Sequence, residues 1–283
     1  MDVLVRLVVA LGMLAVVPTG LALTGEPGAA RLRGIWWLPA TLGAVSMWLP
    51  RGPAATALAA CYAAATLALA LLAPRRLLRT RSLAPREVAV LTALATPAVA
   101  GVALVAERHG TELFGFSLRM LSLTVPHFHF AGFAAALVAG LACGAADSPA
   151  ARCAALGVPA GTLLVLAGYF TGEWVEFAGA AVLTCGLWLV GLATLRGARA
   201  AAADRTTRTL FAVSAAVLVA TMLLALSWAL GEATGLPHPT LTWMAATHGV
   251  GNALGFALCA LLAWRRLAAA PATAAPSLTE EPA

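Results

Sequence analysis

The chain has 283 residues, of which 61% are hydrophobic and 11% charged, and its mean hydropathy is +0.89. A water-soluble domain of this length needs far more charge to cover its surface, which excludes a soluble enzyme or a soluble binding module. The formal net charge of +6 comes from 18 basic residues, all arginine. They stand between apolar runs, so the positive-inside rule accounts for them better than nucleic-acid binding does.

In chain order, apolar runs occupy residues 3–24, 35–49, 53–73, 87–106, 121–143, 153–172, 176–195, 208–230 and 241–264. Most approach the roughly 20 residues that a helix needs to cross the hydrocarbon core. The first run resembles a signal peptide, but its basic flank is only Arg6 against Asp2, and equally apolar runs follow, so it reads as the first span. The second is short and begins with Trp36 and Trp37, an interfacial signature. It either re-enters or pairs with the third run across Pro50-Arg51-Gly52-Pro53. The expected fold class is therefore all-α, a polytopic transmembrane bundle of about nine spans over residues 1–266. An Ala/Pro-rich tail at 267–283 is expected to be disordered.

Arginine placement sets the orientation. Arg31 and Arg33, the group from Arg75 to Arg86, the group from Arg196 to Arg208, and Arg265 with Arg266 fall in alternate loops. All can be cytoplasmic at once, with the N-terminus out and the C-terminus in, as expected of a multi-pass cell-membrane protein. The acids Glu107, Glu112, Glu173, Glu176 and Glu232 fall in the other loops. The five cysteines lie within or beside apolar runs with no metal-type or redox-type spacing, and read as small buried hydrophobes. No internal repeat of the kind found in inverted-repeat transporters is visible.

Polar side chains inside a span are costly, so each needs a reason. His127 and His129 lie near the start of the fifth run; Tyr169, Glu173, Trp174 and Glu176 lie at the join of the sixth and seventh; Thr247, His248 and Asn252 lie in the ninth. Counting helical rise from the loops puts all of these in the outer leaflet. His248 and Asn252, spaced i and i+4, share a helix face. Gly251 and Gly255 permit close helix approach there. His127 and His129, spaced i and i+2, point apart on a regular helix, so either one faces the site and one does not, or Pro126 loosens the helix and both face it. The candidate catalytic set is thus His127, His129, Glu173, Glu176, His248 and Asn252, with Glu112, Tyr169, Trp174 and Thr247 as substrate-binding candidates. Three histidines offer nitrogens for a metal, but His-x-His on a helix is poor ligand geometry, so neither a metal nor another cofactor is expected. Glu112 is read with Arg119 and His109 as part of a loop, Trp174, Trp228 and Trp243 as interfacial anchors, and His238 between two prolines as a turn residue.

The run Pro126-His127-Phe128-His129-Phe130-Ala131-Gly132-Phe133, followed by Thr247-His248-Gly249, Asn252-Ala253 and Gly255-Phe256, resembles the YndJ-type bacterial membrane proteins. The resemblance implies that His127, His129, His248 and Asn252 are motif positions, and that a transporter-like label applies. Larger members continue into a further C-terminal region. From the residues themselves, the favoured reading is an embedded enzyme for acid–base isomerisation, cyclisation or hydration of a lipophilic small molecule, with membrane lipid as its other partner. The alternative is a proton-coupled small-molecule transporter. The two differ in whether polar groups cross the bilayer or stop halfway.

Overall fold

A computed structural model describes residues 2–146 and 148–270. Helices account for almost all of it, and the sole strand-like feature among the described residues is a single bridge between Leu113 and Phe116. Eight helices are long and apolar enough to cross a membrane: α1 (Val3–Leu21), α3 (Pro53–Thr80), α4 (Pro85–His109), α5 (Leu118–Ala145), α6 (Pro149–Thr171), α7 (Glu173–Ala201), α8 (Arg205–Thr234) and α9 (Leu241–Ala269). Between α1 and α3 lies α2, built of Pro27–Ile35 and Trp37–Ser46 with a bend at Trp36.

The expected second span at 35–49 is thus displaced. Its helix starts eight residues earlier, at Pro27, and neither piece meets the length and hydropathy of a spanning helix. Pro27 is the reason for the early start: its fixed φ and missing N–H suit the first helical turn. Arg31 and Arg33 lower the hydropathy of the added turns. Even so, α2 runs the same course as α3. A Cβ on Gly28 would meet Leu72 near one end of α3, and the carbonyls after Ser46 reach the C-terminal end of α4. Helix α9 runs to Ala269, three residues past the expected end of the helical domain at 266. The rest of the expected tail, 271–283, lies outside the described residues.

Ion pairs pin the helix ends into two polar layers. At the arginine-rich end, Arg76 donates to both carboxylate oxygens of Glu87 at 2.7 and 2.9 Å and to the Thr24 carbonyl at 3.1 Å. Arg79 grips Glu26 at 2.6 and 3.1 Å. The turn after α1 is thereby clamped to α3 and α4. At the opposite end the fully buried Glu107 accepts from Arg51 at 2.8 Å and from Arg108. Arg108 also reaches the carbonyls of Ser46, Met47 and Leu49. The arginine-rich layer gathers the ends of α1, α3, α7 and α9 and the starts of α4 and α8 at one end of the bundle.

Helices α6 and α7 form the tightest pair. Gly172, at φ +132°, turns the chain between them in a conformation that residues with a Cβ rarely adopt. A Cβ on Gly161 or Gly168 would strike the backbone of Leu183 or Glu176, so the two helices touch main chain to main chain. This contact fixes where the first turn of α7, and with it Glu176, stands. Helix α5 is the most enclosed: Phe128, Phe133 and nearly every side chain from Ala134 to Gly140 are buried.

Candidate functional site

The site grows from three places where α-helical hydrogen bonding widens to i→i+5. These π turns lie at Gly12–Val16 in α1, Phe128–Ala134 in α5, and Ala245–Gly249 with Gly251–Leu258 in α9. Pro126 explains the second: it lacks the N–H that would bond back to Ser122, and the ladder re-forms with an extra residue in the turn. The three widened segments meet in the interior of the bundle. Both histidine motifs therefore sit on non-standard backbone, where extra turns re-aim side chains and leave carbonyls open.

The two histidines of α5 part company. His127 lines a cavity bounded by α1, α5, α6, α7, α8 and α9. Its Nε2 is buried and has no hydrogen-bond partner. His129 points the other way and is wholly buried, with Nε2 2.6 Å from the Tyr62 hydroxyl of α3. A Cβ on Gly12 would lie 2.7 Å from its Nδ1, so the π turn of α1 presses directly on the ring. Trp36 stands edge-on to Tyr62 and donates from Nε1 to the Met13 carbonyl at 2.9 Å. Of the two arrangements left open by the i, i+2 spacing, the structure adopts the first. His129 belongs to a buried Trp36–Tyr62–His129 core and not to the cavity.

The cavity holds about 330 Å³ and extends from Arg119 to Ala135 along α5, roughly 24 Å at 1.5 Å per residue. Leu4, Val8, Leu183, Leu187 and Met222 make its walls chiefly apolar. Its polar groups are few: His127, His248, Asn252, Tyr169, Glu176, Thr124, the Trp228 indole and, toward the mouth, Ser117 and Arg119. His127 and His248 are close enough for their charges to interact, as are Glu176 and Tyr169. Glu176 also feels the charges of Glu173 and Glu232.

His248 has a defined tautomer. Its Nδ1 lies 2.8 Å from the Thr221 carbonyl of α8, which can only accept, so Nδ1 carries the proton. Nε2 then offers a lone pair, and Asn252 Nδ2 stands beside the ring, 3.2 Å from Nε2 and 3.3 Å from Nδ1. Asn252 Oδ1 accepts from the Thr221 hydroxyl at 2.9 Å. Gly251 and Gly255 make this possible, since a Cβ on either would run into Thr221 or Val217 of α8. Below Asn252 the cavity wall is apolar, with Leu187, Met222 and Phe256.

Five sequence candidates therefore share the cavity: His127, Tyr169, Glu176, His248 and Asn252. The others stand apart. Glu173 and Trp174 are exposed in the first turn of α7, and Trp174 packs on Phe177. Glu112 is exposed in the loop before α5. The Thr247 hydroxyl donates to the Trp243 carbonyl of its own helix at 2.8 Å. Arg119 and Trp228 line the cavity, although sequence context points to a loop residue and an interfacial anchor. Ser117 caps α5 by accepting from the Met120 N–H at 3.3 Å, which starts the helix early enough to carry Arg119 on its first turn. That Ser-x-x-Met start was the available signal. His238 stands 3.1 Å from Glu232, an ion pair when protonated, beyond its place in a turn. Among the described residues no group of three or more His, Cys, Asp or Glu side chains is placed to hold a metal ion.

The sequence profile of the YndJ-like proteins matches residues 7–256, most of the chain and nearly every helix described above. The chain belongs to the YndJ-like protein family. The match takes in both histidine motifs, the widened segments up to residue 256 and all the polar groups of the cavity. No curated protein and no solved structure matches the chain. Within this YndJ-like chain, the cavity geometry is thus the ground for a functional reading.

Proposed function

We propose that this YndJ-like protein is a membrane-embedded acid–base enzyme acting on a lipophilic small molecule, by isomerisation, cyclisation or hydration. One observation carries the reading. Two imidazoles stand within electrostatic reach in a largely apolar cavity, and one of them, His248, is held as the Nδ1–H tautomer with Nε2 available. A base of this kind, desolvated and oriented by a carbonyl, suits proton abstraction from carbon or from a hydroxyl.

The Asn252 amide supports both states of that base. While Nε2 is unprotonated, Nδ2 stands beside the ring and leaves the Nε2 lone pair open to the substrate. Once Nε2 takes a proton, a half-turn of the amide presents Oδ1 to the new N–H and Nδ2 to the Thr221 hydroxyl. That hydroxyl then gives its single hydrogen to the Val217 carbonyl, 2.9 Å away. Proton uptake thus leaves no partner unsatisfied. The protonated His248 then returns that proton at a second position of the substrate, with His127 beside it in the cavity, and Glu176 and Tyr169 line the same cavity toward the mouth. The polar lining that ends at Asn252 favours a one-ended site over a relay across the bilayer.

The test is to express the chain and a His248→Ala variant in the same host, and to compare small molecules in cells and medium by mass spectrometry. A product of changed structure, reduced about 10²–10⁴-fold in the variant, is expected for an acid–base residue. An unchanged compound that only shifts between cells and medium would establish transport instead.

A further inference from the structure

A second depression lies at the arginine-rich end, on the lipid-facing side of α1, α2 and α9. It holds about 530 Å³ and is open. Leu14, Ala15 and Pro18 of α1 supply an apolar wall, and Arg33 of α2 with Arg265 of α9 stands at its rim. No acid lines it. Among the described residues neither the Arg33 nor the Arg265 side chain makes a hydrogen bond or ion pair, whereas neighbouring Arg266 is held by Asp204 at 3.2 Å. Trp37, one turn along from Arg33, is exposed beside the groove. A Cβ on Gly34 would meet nothing within 4 Å, so the helix face there is left uncovered.

We propose that this groove binds one anionic phospholipid, with the phosphate between Arg33 and Arg265 and an acyl chain along Leu14, Ala15 and Pro18. The chemistry of the groove selects that occupant. Two guanidiniums from different helices present paired donors that match phosphate oxygens. Basic pockets between membrane helices favour anionic head groups. An exposed tryptophan at this level marks the interface, where the head group and the acyl chain meet. A second protein chain would need acids to neutralise the arginines, and the apolar wall lies where lipid tails already are. The site is separate from the acid–base cavity and does not depend on its function.

The experiment uses the full-length protein reconstituted in mixed phosphatidylglycerol and phosphatidylcholine bilayers, released into mild detergent and examined by native mass spectrometry. The wild type retains one phosphatidylglycerol in preference to phosphatidylcholine. In the Arg33→Gln/Arg265→Gln variant, retention falls about thirtyfold, from about 1 kcal/mol per arginine near the surface. The Arg75→Gln/Arg205→Gln variant removes two charges from the same end outside the groove and keeps the lipid. Arg33→Lys/Arg265→Lys, which preserves charge, retains more lipid than the glutamine pair. Equal retention by wild type and the glutamine pair overturns the proposal. So does an equal loss in the Arg75/Arg205 variant, which would show a diffuse field and no site.

Discussion

Replacing Tyr62 by phenylalanine removes one oxygen from the centre of the bundle and tests whether His129 is held there for structure. In the wild type the hydroxyl lies 2.6 Å from His129 Nε2, while Nδ1 already has no partner. The variant leaves both ring nitrogens unsatisfied. The ring cannot turn to find another partner, because Gly12 of α1 packs on its Nδ1, Cγ and Cβ. An orphaned buried polar group costs about 1–3 kcal/mol. Interhelical hydrogen bonds inside membranes average about 0.6 and reach about 1.7 kcal/mol. Tyr62→Phe should therefore lose about 1–2 kcal/mol. His129→Leu alone orphans the phenol instead and should lose a similar amount plus a packing term. In the double variant neither group is orphaned, so the two losses should fall short of additive by about 1 kcal/mol. The assay is a double-mutant cycle by reversible unfolding in mixed micelles, followed by tryptophan fluorescence. Additivity within about 0.5 kcal/mol would refute the pairing.

Three further outcomes follow from the same geometry. Gly168→Ala drives a Cβ into the backbone of Glu176, which cannot yield as a side chain would, so stability should fall by more than the ~1–3 kcal/mol of ordinary overpacking; thermal denaturation in detergent checks this. Glu107→Ala leaves the buried Arg108 guanidinium without its carboxylate and should cost about 3–5 kcal/mol, against about 1 kcal/mol for Arg51→Ala, whose side chain is 43% exposed; matched unfolding curves compare them. Asp204 caps α8, and hydrogen bonds from the Thr207 hydroxyl and N–H, then from Arg266, hold its carboxyl down to about 2 from an ordinary 3.8. A lowered carboxyl contributes stability that is fully present above 3.8 and lost as pH falls through about 2. Asp204→Asn should accordingly lower stability at neutral pH and flatten the decline between pH 4 and 2, seen as thermal midpoints across that window.

Much of the architecture was legible because it rests on one-dimensional signals. Apolar run length and arginine spacing located eight helices with their ends within seven residues, since the hydrocarbon core sets length and the ion-pair layers set ends. The second segment was misplaced because its first turns carry Arg31 and Arg33, and hydropathy cannot register a helix whose polar turns lie among other helix ends. The convergence of His127, Glu176, His248 and Asn252 was also legible, from counting turns inward from one face. What spacing cannot reveal is rotation. Whether His127 or His129 faces the cavity depends on a widened turn set by Pro126 and on Gly12, more than a hundred residues earlier, pressing against one ring. The partnership of Tyr62 with His129 spans 67 positions and has no local signature. Arg119 was hidden by a helix start that depends on the Ser117 cap.

The widened turns link these observations. A π turn disrupts the regular backbone ladder and persists only where other groups take up what it releases. Trp36 takes up the Met13 carbonyl in α1. In α9, the widened segments bring His248 and Asn252 together onto one stretch of α8, with His248 on the Thr221 carbonyl and Asn252 on its hydroxyl. The α5 turn separates a cavity-facing imidazole from a core-facing one two positions on. Helix α1 then serves both sides: its first turns wall the cavity through Leu4, Val5 and Val8, and Gly12, one turn beyond Val8, seats His129. A side chain larger than glycine at position 12 would push His129 off Tyr62 and shift the widened turn of α5 that aims His127. The buried Tyr62–His129 pair, though outside the cavity, is thus the mechanical support of the cavity's own histidine. Gly12→Ala should therefore weaken turnover as well as stability.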